Sequence, residues 1–130
     1  MKVVKQLAIF LANKPGTLAQ VCRHLAGARI NILAMTVADT VDHAVVRLVV
    51  SDPTKAIHLL GDAGVLVVES DVLAVTLRNR PGALAKVAQR LASAKVNIEY
   101  AYAAVAPTQG ESMVIIRPSG LKKAMKVLRA

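Results

Sequence analysis

Apolar positions along this chain follow two rhythms. Val3–Leu11 is a nearly continuous apolar run that stops at Asn13-Lys14-Pro15-Gly16, and it predicts a buried strand. Beyond it Leu18, Val21, Cys22 and Leu25 fall at i, i+3, i+4 and i+7, the spacing of one helix face. Pro15 stands where a helix start tolerates a missing N–H. Ile30–Ala38 predicts a second strand, Asp39-Thr40-Val41-Asp42 a turn, and His43–Val50 a third strand. Pro53–Ala63 predicts a second helix with Gly61 and Gly64 near its end, and Val65–Glu69 a fourth strand. The order βαββαβ is that of a ferredoxin-like unit, two helices on a four-stranded antiparallel sheet.

The pattern then starts again. With an offset of 66, Asn13–Ile32 aligns with Asn79–Ile98, and 11 of the 20 pairs are identical, among them Asn13/Asn79, Pro15/Pro81, Gly16/Gly82, Leu18/Leu84, Asn31/Asn97 and Ile32/Ile98. Past residue 108 the offset becomes 68, so that Ser51 meets Ser119. The second copy therefore has two extra residues near Ala106-Pro107-Thr108-Gln109-Gly110. A self-match of this length marks two copies of one supersecondary unit, 1–69 and 70–130. The second copy reads Val72–Leu77, Pro81–Ala94, Val96–Val105, Ser112–Arg117 and Leu121–Arg129, and it lacks a final strand. Only Glu69-Ser70-Asp71 joins the first copy's last strand to the second copy's first, so a hairpin pairing Val65–Glu69 with Val72–Leu77 is expected to fill the vacant edge. An edge left open attracts a second chain, so a homodimer or larger assembly is expected.

Composition narrows the function. The core must be aliphatic, because the chain has no Trp, one Phe and two Tyr. Its apolar runs are far shorter than the roughly 20 residues of a spanning helix, and the N-terminus does not read as a signal peptide. A cytoplasmic protein is the expectation, and the single Cys22 fits it. Catalysis finds no support. His24, His43 and His58 are scattered, no Cys/His/Asp cluster has metal-ligand spacing, and Cys22 aligns with Ala88 on an apolar helix face. Neither a metal nor a cofactor is expected. The net charge of +9 is uneven. Residues 1–71 hold seven Lys/Arg and six Asp/Glu (7 − 6 = +1), and residues 72–130 hold ten and two (10 − 2 = +8).

The phrase N-[KR]-P-G-x-L-A-x-V, followed by A-[RK]-[IV]-N-I, occurs in both copies and resembles the ACT domain, a small ligand-sensing module of amino-acid metabolism. Asn97-Ile98 through Val105-Ala106-Pro107-Thr108 is also similar to the regulatory subunit of acetolactate synthase. The resemblance implies a non-catalytic sensor that binds a free amino acid at an interface between paired ACT units. It also implies that Asn13 with Asn31, and Asn79 with Asn97, contribute to the sites. Some relatives place a His two positions before the first Asn. Here those positions are Leu11 and Leu77, which favours an aliphatic amino acid over serine.

The residues themselves allow this chemistry. The first turn of a helix offers N–H groups with no intrahelical partner and a dipole that favours an anion. Gly16, Thr17 and Leu18 supply them in one copy, and Gly82, Ala83 and Leu84 in the other. The amide of an Asn has an acceptor for an ammonium and a donor for a carboxylate. Leu18 with Ile32, and Leu84 with Ile98, would line the apolar side. Asn13 and Asn31 are expected around one helix N-terminus, holding both ends of the ligand. The plainer alternative makes Asn-x-Pro-Gly a strand-to-helix turn, with Asn31 and Asn97 only turning the chain into the next strand. Two rivals differ in kind. The chain would serve as regulatory subunit of a biosynthetic enzyme such as acetolactate synthase, or its sheet would bind RNA through Tyr100 and Tyr102, which share one strand face. The paucity of aromatics disfavours nucleic acid.

Overall fold

The computed structural model describes residues 1–106 and 110–129. The elements are β1 (Lys2–Ala12), α1 (Thr17–Gly27), β2 (Ile32–Asp39), β3 (His43–Val50), α2 (Pro53–Asp62), β4 (Leu66–Arg78), α3 (Ala83–Ser93), β5 (Ile98–Ala106), β6 (Glu111–Pro118) and α4 (Leu121–Arg129). They form two compact units, Lys5–Ser70 and Met1–Val4 with Asp71–Ala130.

In the first unit the strands lie in the order β2-β3-β1-β4, the ferredoxin-like arrangement. β1 pairs antiparallel with β3, Leu7 facing Leu48 and Ile9 facing Val46, and β3 pairs antiparallel with β2. Those four side chains share a sheet face because alternate residues point the same way. They join Val21 and Leu25 of α1 and Ala56 and Leu60 of α2 in one aliphatic core. The second unit repeats this with Leu73 and Val75 of β4, Val114 and Ile116 of β6, Val87 and Leu91 of α3, and Ala124 of α4. The i, i+4 pairs Val21/Leu25 and Val87/Leu91 are the buried residues of their helices, so the helical rhythm of the sequence translates into packing.

The expected hairpin between Val65–Glu69 and Val72–Leu77 does not form. β4 is one continuous strand from Leu66 to Arg78, so the two segments lie end to end. A two-residue hairpin needs positive φ at its turn, and Glu69, Ser70 and Asp71 are absent from the positive-φ residues. The chain has no reason to reverse there. In the second unit β4 pairs antiparallel with β6, and β6 with β5. No strand follows α4 among the described residues. The other neighbour of β4 is β1, whose first residues Lys2–Val4 belong to this unit, giving the order β1-β4-β6-β5. The tip of the N-terminal strand thus stands where a fourth strand would stand. The two-residue insertion expected near Ala106–Gly110 falls largely on 107–109, outside the described residues.

Pro15 and Pro81 also differ from expectation, because neither is helical. Each helix begins two residues later, after a glycine with left-handed backbone: Gly16 at φ 92° and Gly82 at φ 89°. Proline then glycine at this φ are the two central residues of a type II turn. In the second copy the closing bond is present, Ala83 N–H donating to the Arg80 carbonyl at 3.3 Å.

Candidate ligand-binding site

The repeated phrase folds into the same double turn twice. Lys14 N–H donates to the Ala12 carbonyl and Arg80 N–H to the Arg78 carbonyl, both at 2.9 Å, so Asn13 and Asn79 each stand at the centre of a three-residue turn. The Pro-Gly turn follows at once. The Gly16 and Gly82 carbonyls then accept the first helical bonds, from the N–H groups of Gln20 and Lys86, both at 3.0 Å. The chain passes from strand to helix within a few residues, and no β-carbon obstructs the approach to either glycine.

Asn13 is partly committed to the fold. Its N–H donates to the Asp42 carbonyl at 3.0 Å, and its Nδ2 donates to the Thr40 carbonyl at 3.2 Å. Both acceptors lie at the β2–β3 turn. Asn79 repeats the first bond, to the Gly110 carbonyl at 2.8 Å. Thr17 donates its hydroxyl to the Ala12 carbonyl at 2.8 Å, which ties the helix start back to the strand end. Gly16, Thr17 and Leu18 N–H groups find no acceptor among the described residues, whereas Ala83 N–H is taken by Arg80. Leu18 packs against the core, but its counterpart Leu84 is 46% exposed. Ile32 and Ile98 are half-buried against their respective cores.

The two asparagines of one copy are not brought together. Asn31 sits at the other end of β3: its N–H donates to the Ser51 hydroxyl, and its carbonyl accepts from Ser51 N–H, both at 2.9 Å. Asn97 and Ser119 repeat the clip at 3.0 and 2.8 Å. Asn13 bonds beside the start of β3 and Asn31 beyond its end. With eight residues in that strand, at about 3.3 Å each, the separation is roughly 25 Å. An α-carboxylate and α-ammonium share one carbon, so no single amino acid spans it. The expectation of both around one helix N-terminus therefore does not hold within a unit. Asn31 lies near the C-terminal end of α1 because the helix carries the chain back along the sheet before β2 begins. The serines went unnoticed as partners, although Ser51 and Ser119 align with each other in the repeat.

A cavity of about 180 Å3 lies beside this turn in the first unit, between the end of β1 and the first turns of α1. Leu11 and Val21 form its apolar wall, Thr17, Gln20 and His24 its polar one, and the backbone at Gly64 closes a third side. One electrostatic feature lies near Asn13. Asp42 Oδ1 and His43 Nδ1 are 2.9 Å apart, and this hydrogen bond, with the imidazole charge behind it, holds the Asp42 carboxyl below its ordinary range. No group of three or more His, Cys, Asp or Glu among the described residues is placed to hold a metal ion, and no helix among them is long and apolar enough to cross a membrane.

Comparison with known proteins gives the same architecture. A family model for an ACT domain pair matches residues 1–129. The crystal structure of protein BT0572 from Bacteroides thetaiotaomicron is 42% identical, covering 98% of this chain and 87% of that one with a TM-score of 0.93. The ligand-free regulatory subunit of aspartate kinase from Thermus thermophilus is 20% identical, covering 99% and 96%, with a TM-score of 0.72. The corresponding subunit from Thermus flavus is 18% identical, covering 99% and 95%, at 0.64. The last two share the fold. No curated protein matches the chain.

Proposed function

We propose that this chain, which belongs to the ACT domain pair family, is a non-catalytic cytoplasmic sensor of a free amino acid that regulates amino-acid metabolism. The observation carrying this reading is the turn at Gly16, where the N–H groups of Gly16, Thr17 and Leu18 have no acceptor among the described residues and the glycine leaves their approach clear. A ligand carboxylate against those groups gains from the helix dipole, about 0.3–1 kcal/mol when exposed and up to roughly 2 when partly buried. The first copy is the stronger site. In the second, Ala83 N–H is already used and Leu84 stands out in solvent.

Since one unit cannot supply both asparagines, the ammonium is held by Asn31 or Asn97 of a second copy of the chain, and the sensor works as a homodimer. The supporting feature is β2, the edge strand of the first unit, where Leu33, Met35 and Val37 alternate and remain exposed. The absence of a His at Leu11 favours an aliphatic ligand. RNA is the weaker reading, because stacking requires an open sheet face. Tyr102 pairs with Ile115 in the β5–β6 ladder, and Ile115 is fully buried.

Sedimentation equilibrium with calorimetric titration of leucine, valine and isoleucine tests the reading. A dimer binding one of them at micromolar to millimolar Kd, with affinity lowered at least tenfold by Asn31→Ala, supports it. A monomer that binds no amino acid but co-purifies with a biosynthetic synthase would move the function to the regulatory-subunit alternative.

A further inference from the structure

We propose that the second unit carries a separate pocket for a small polyanion, a molecule with two or more negative charges on neighbouring oxygens such as a phosphate or a polycarboxylate. Both units have a cavity between the end of their first strand and the first turns of the helix that follows. In the second unit it measures about 250 Å3 and is lined by Arg78, Arg80, Ala83, Lys86, Val87 and Arg90, with Thr76 and Leu77 behind them. At an offset of 66 the cationic positions correspond to Ala12, Lys14, Gln20 and His24. Of those four only Ala12, Gln20 and His24 line the first cavity. The second unit thus has Lys or Arg where the first has Ala12, Gln20 and His24, and Arg80, aligned with Lys14, lines its cavity as the fourth cation.

Three of the four charges are uncompensated. Among the described residues, Arg78, Arg80 and Lys86 make no ion pair. Glu111 faces Arg78 across the β4–β6 ladder without closing onto it. Arg90 is fixed at the wall, because its Nη2 donates to the Val127 carbonyl at 2.6 Å. Four like charges around one concavity repel each other, and the repulsion is relieved by an anion seated among them. Guanidinium groups offer planar donor pairs that match phosphate and carboxylate oxygens, and Lys86 adds a compact charge. The N-terminal end of α3 opens beside them and adds the same sign of potential. The volume lies below the roughly 300–1,000 Å3 of pockets for drug-sized ligands. The occupant is therefore a small metabolite-sized anion. This site uses none of the asparagines of the proposed amino-acid site, but it shares Ala83 and the N-terminal end of α3 with the second copy's turn, so the two ligands would compete there while the first copy's site is unaffected.

The test is calorimetric titration of the full chain with inorganic phosphate, citrate and, as monoanion control, acetate, all at constant ionic strength. Saturable one-site binding of phosphate or of citrate, with acetate at least tenfold weaker, is the expected result, and the anion that binds fixes the class. Arg80→Gln and Lys86→Gln, both at exposed positions, each weaken binding about tenfold or more, the effect of losing one charge-assisted bond. Lys122→Gln on α4 leaves it unchanged within twofold. Absence of saturable binding overturns the proposal, as does an equal loss in Lys122→Gln, which would mark diffuse attraction to a basic surface. Binding of single-stranded RNA but of neither small anion overturns it as well.

Discussion

Gly82 shows most cleanly how one residue fixes the candidate site. Its φ of 89° lies in the left-handed region, and an added Cβ would meet nothing within 4 Å. Gly82→Ala therefore costs backbone energy alone, about 1–2 kcal/mol, measured as a lower urea midpoint with an unchanged slope. A clash would instead disturb the packing around it. Asp42 gives a second residue-level prediction. Its carboxyl is held below the ordinary range by the hydrogen bond to His43. A carboxyl with a depressed folded-state pKa contributes stability above its unfolded value, and that contribution is lost as pH falls through the folded value. His43→Ala should return Asp42 to the ordinary carboxylate range in an NMR titration and flatten the acid limb of the stability curve. An unmoved Asp42 would refute the pairing. The glycines and asparagines of the site were legible as residues, since the repeat singled them out. Their distances were not, because sequence spacing does not say which end of a helix a residue meets.

At the scale of elements, the helical rhythm was the most readable signal, because burial of one face enforces it. Leu25 and Leu91 occupy corresponding positions and both are fully buried. Leu91→Ala should cost about 2–5 kcal/mol. Leu84→Ala, at an exposed position on the same helix, should change stability by no more than about 0.5 kcal/mol. Chemical denaturation separates them, and equal effects would mean that the helix packs on a different face. Strand positions were legible to within about two residues, with β2 and β5 beginning at Ile32 and Ile98 rather than Ile30 and Val96. The hairpin expected at Glu69-Ser70-Asp71 was not borne out. Its short length suggested a turn, yet no residue there has the positive φ that tight hairpins need, so the chain ran straight on into β4. The starts of α1 and α3 were displaced by two residues because Pro-Gly can make a turn as readily as a cap.

For the whole molecule, the duplication carried most of what could be read in advance: two units of one topology, each opening on the same double turn. What the repeat could not convey was divergence in three dimensions. The tip of β1 lies beside β4 in the second unit, a placement that depends on residues far apart in sequence. The basic half of the chain gathers four of its cations around one cavity, although they are spread from Arg78 to Arg90. The central claim is that this ACT domain pair senses an amino acid through its glycine turns. The most direct measurement is a thermal-shift screen of the full chain against the twenty amino acids at millimolar concentration. A ligand at a hundred times its Kd adds about 2.7 kcal/mol of stability. The account predicts a clear rise in Tm with an aliphatic amino acid, reduced in Asn13→Ala and larger in the wild type than any shift with serine. No rise with any of the twenty would contradict it.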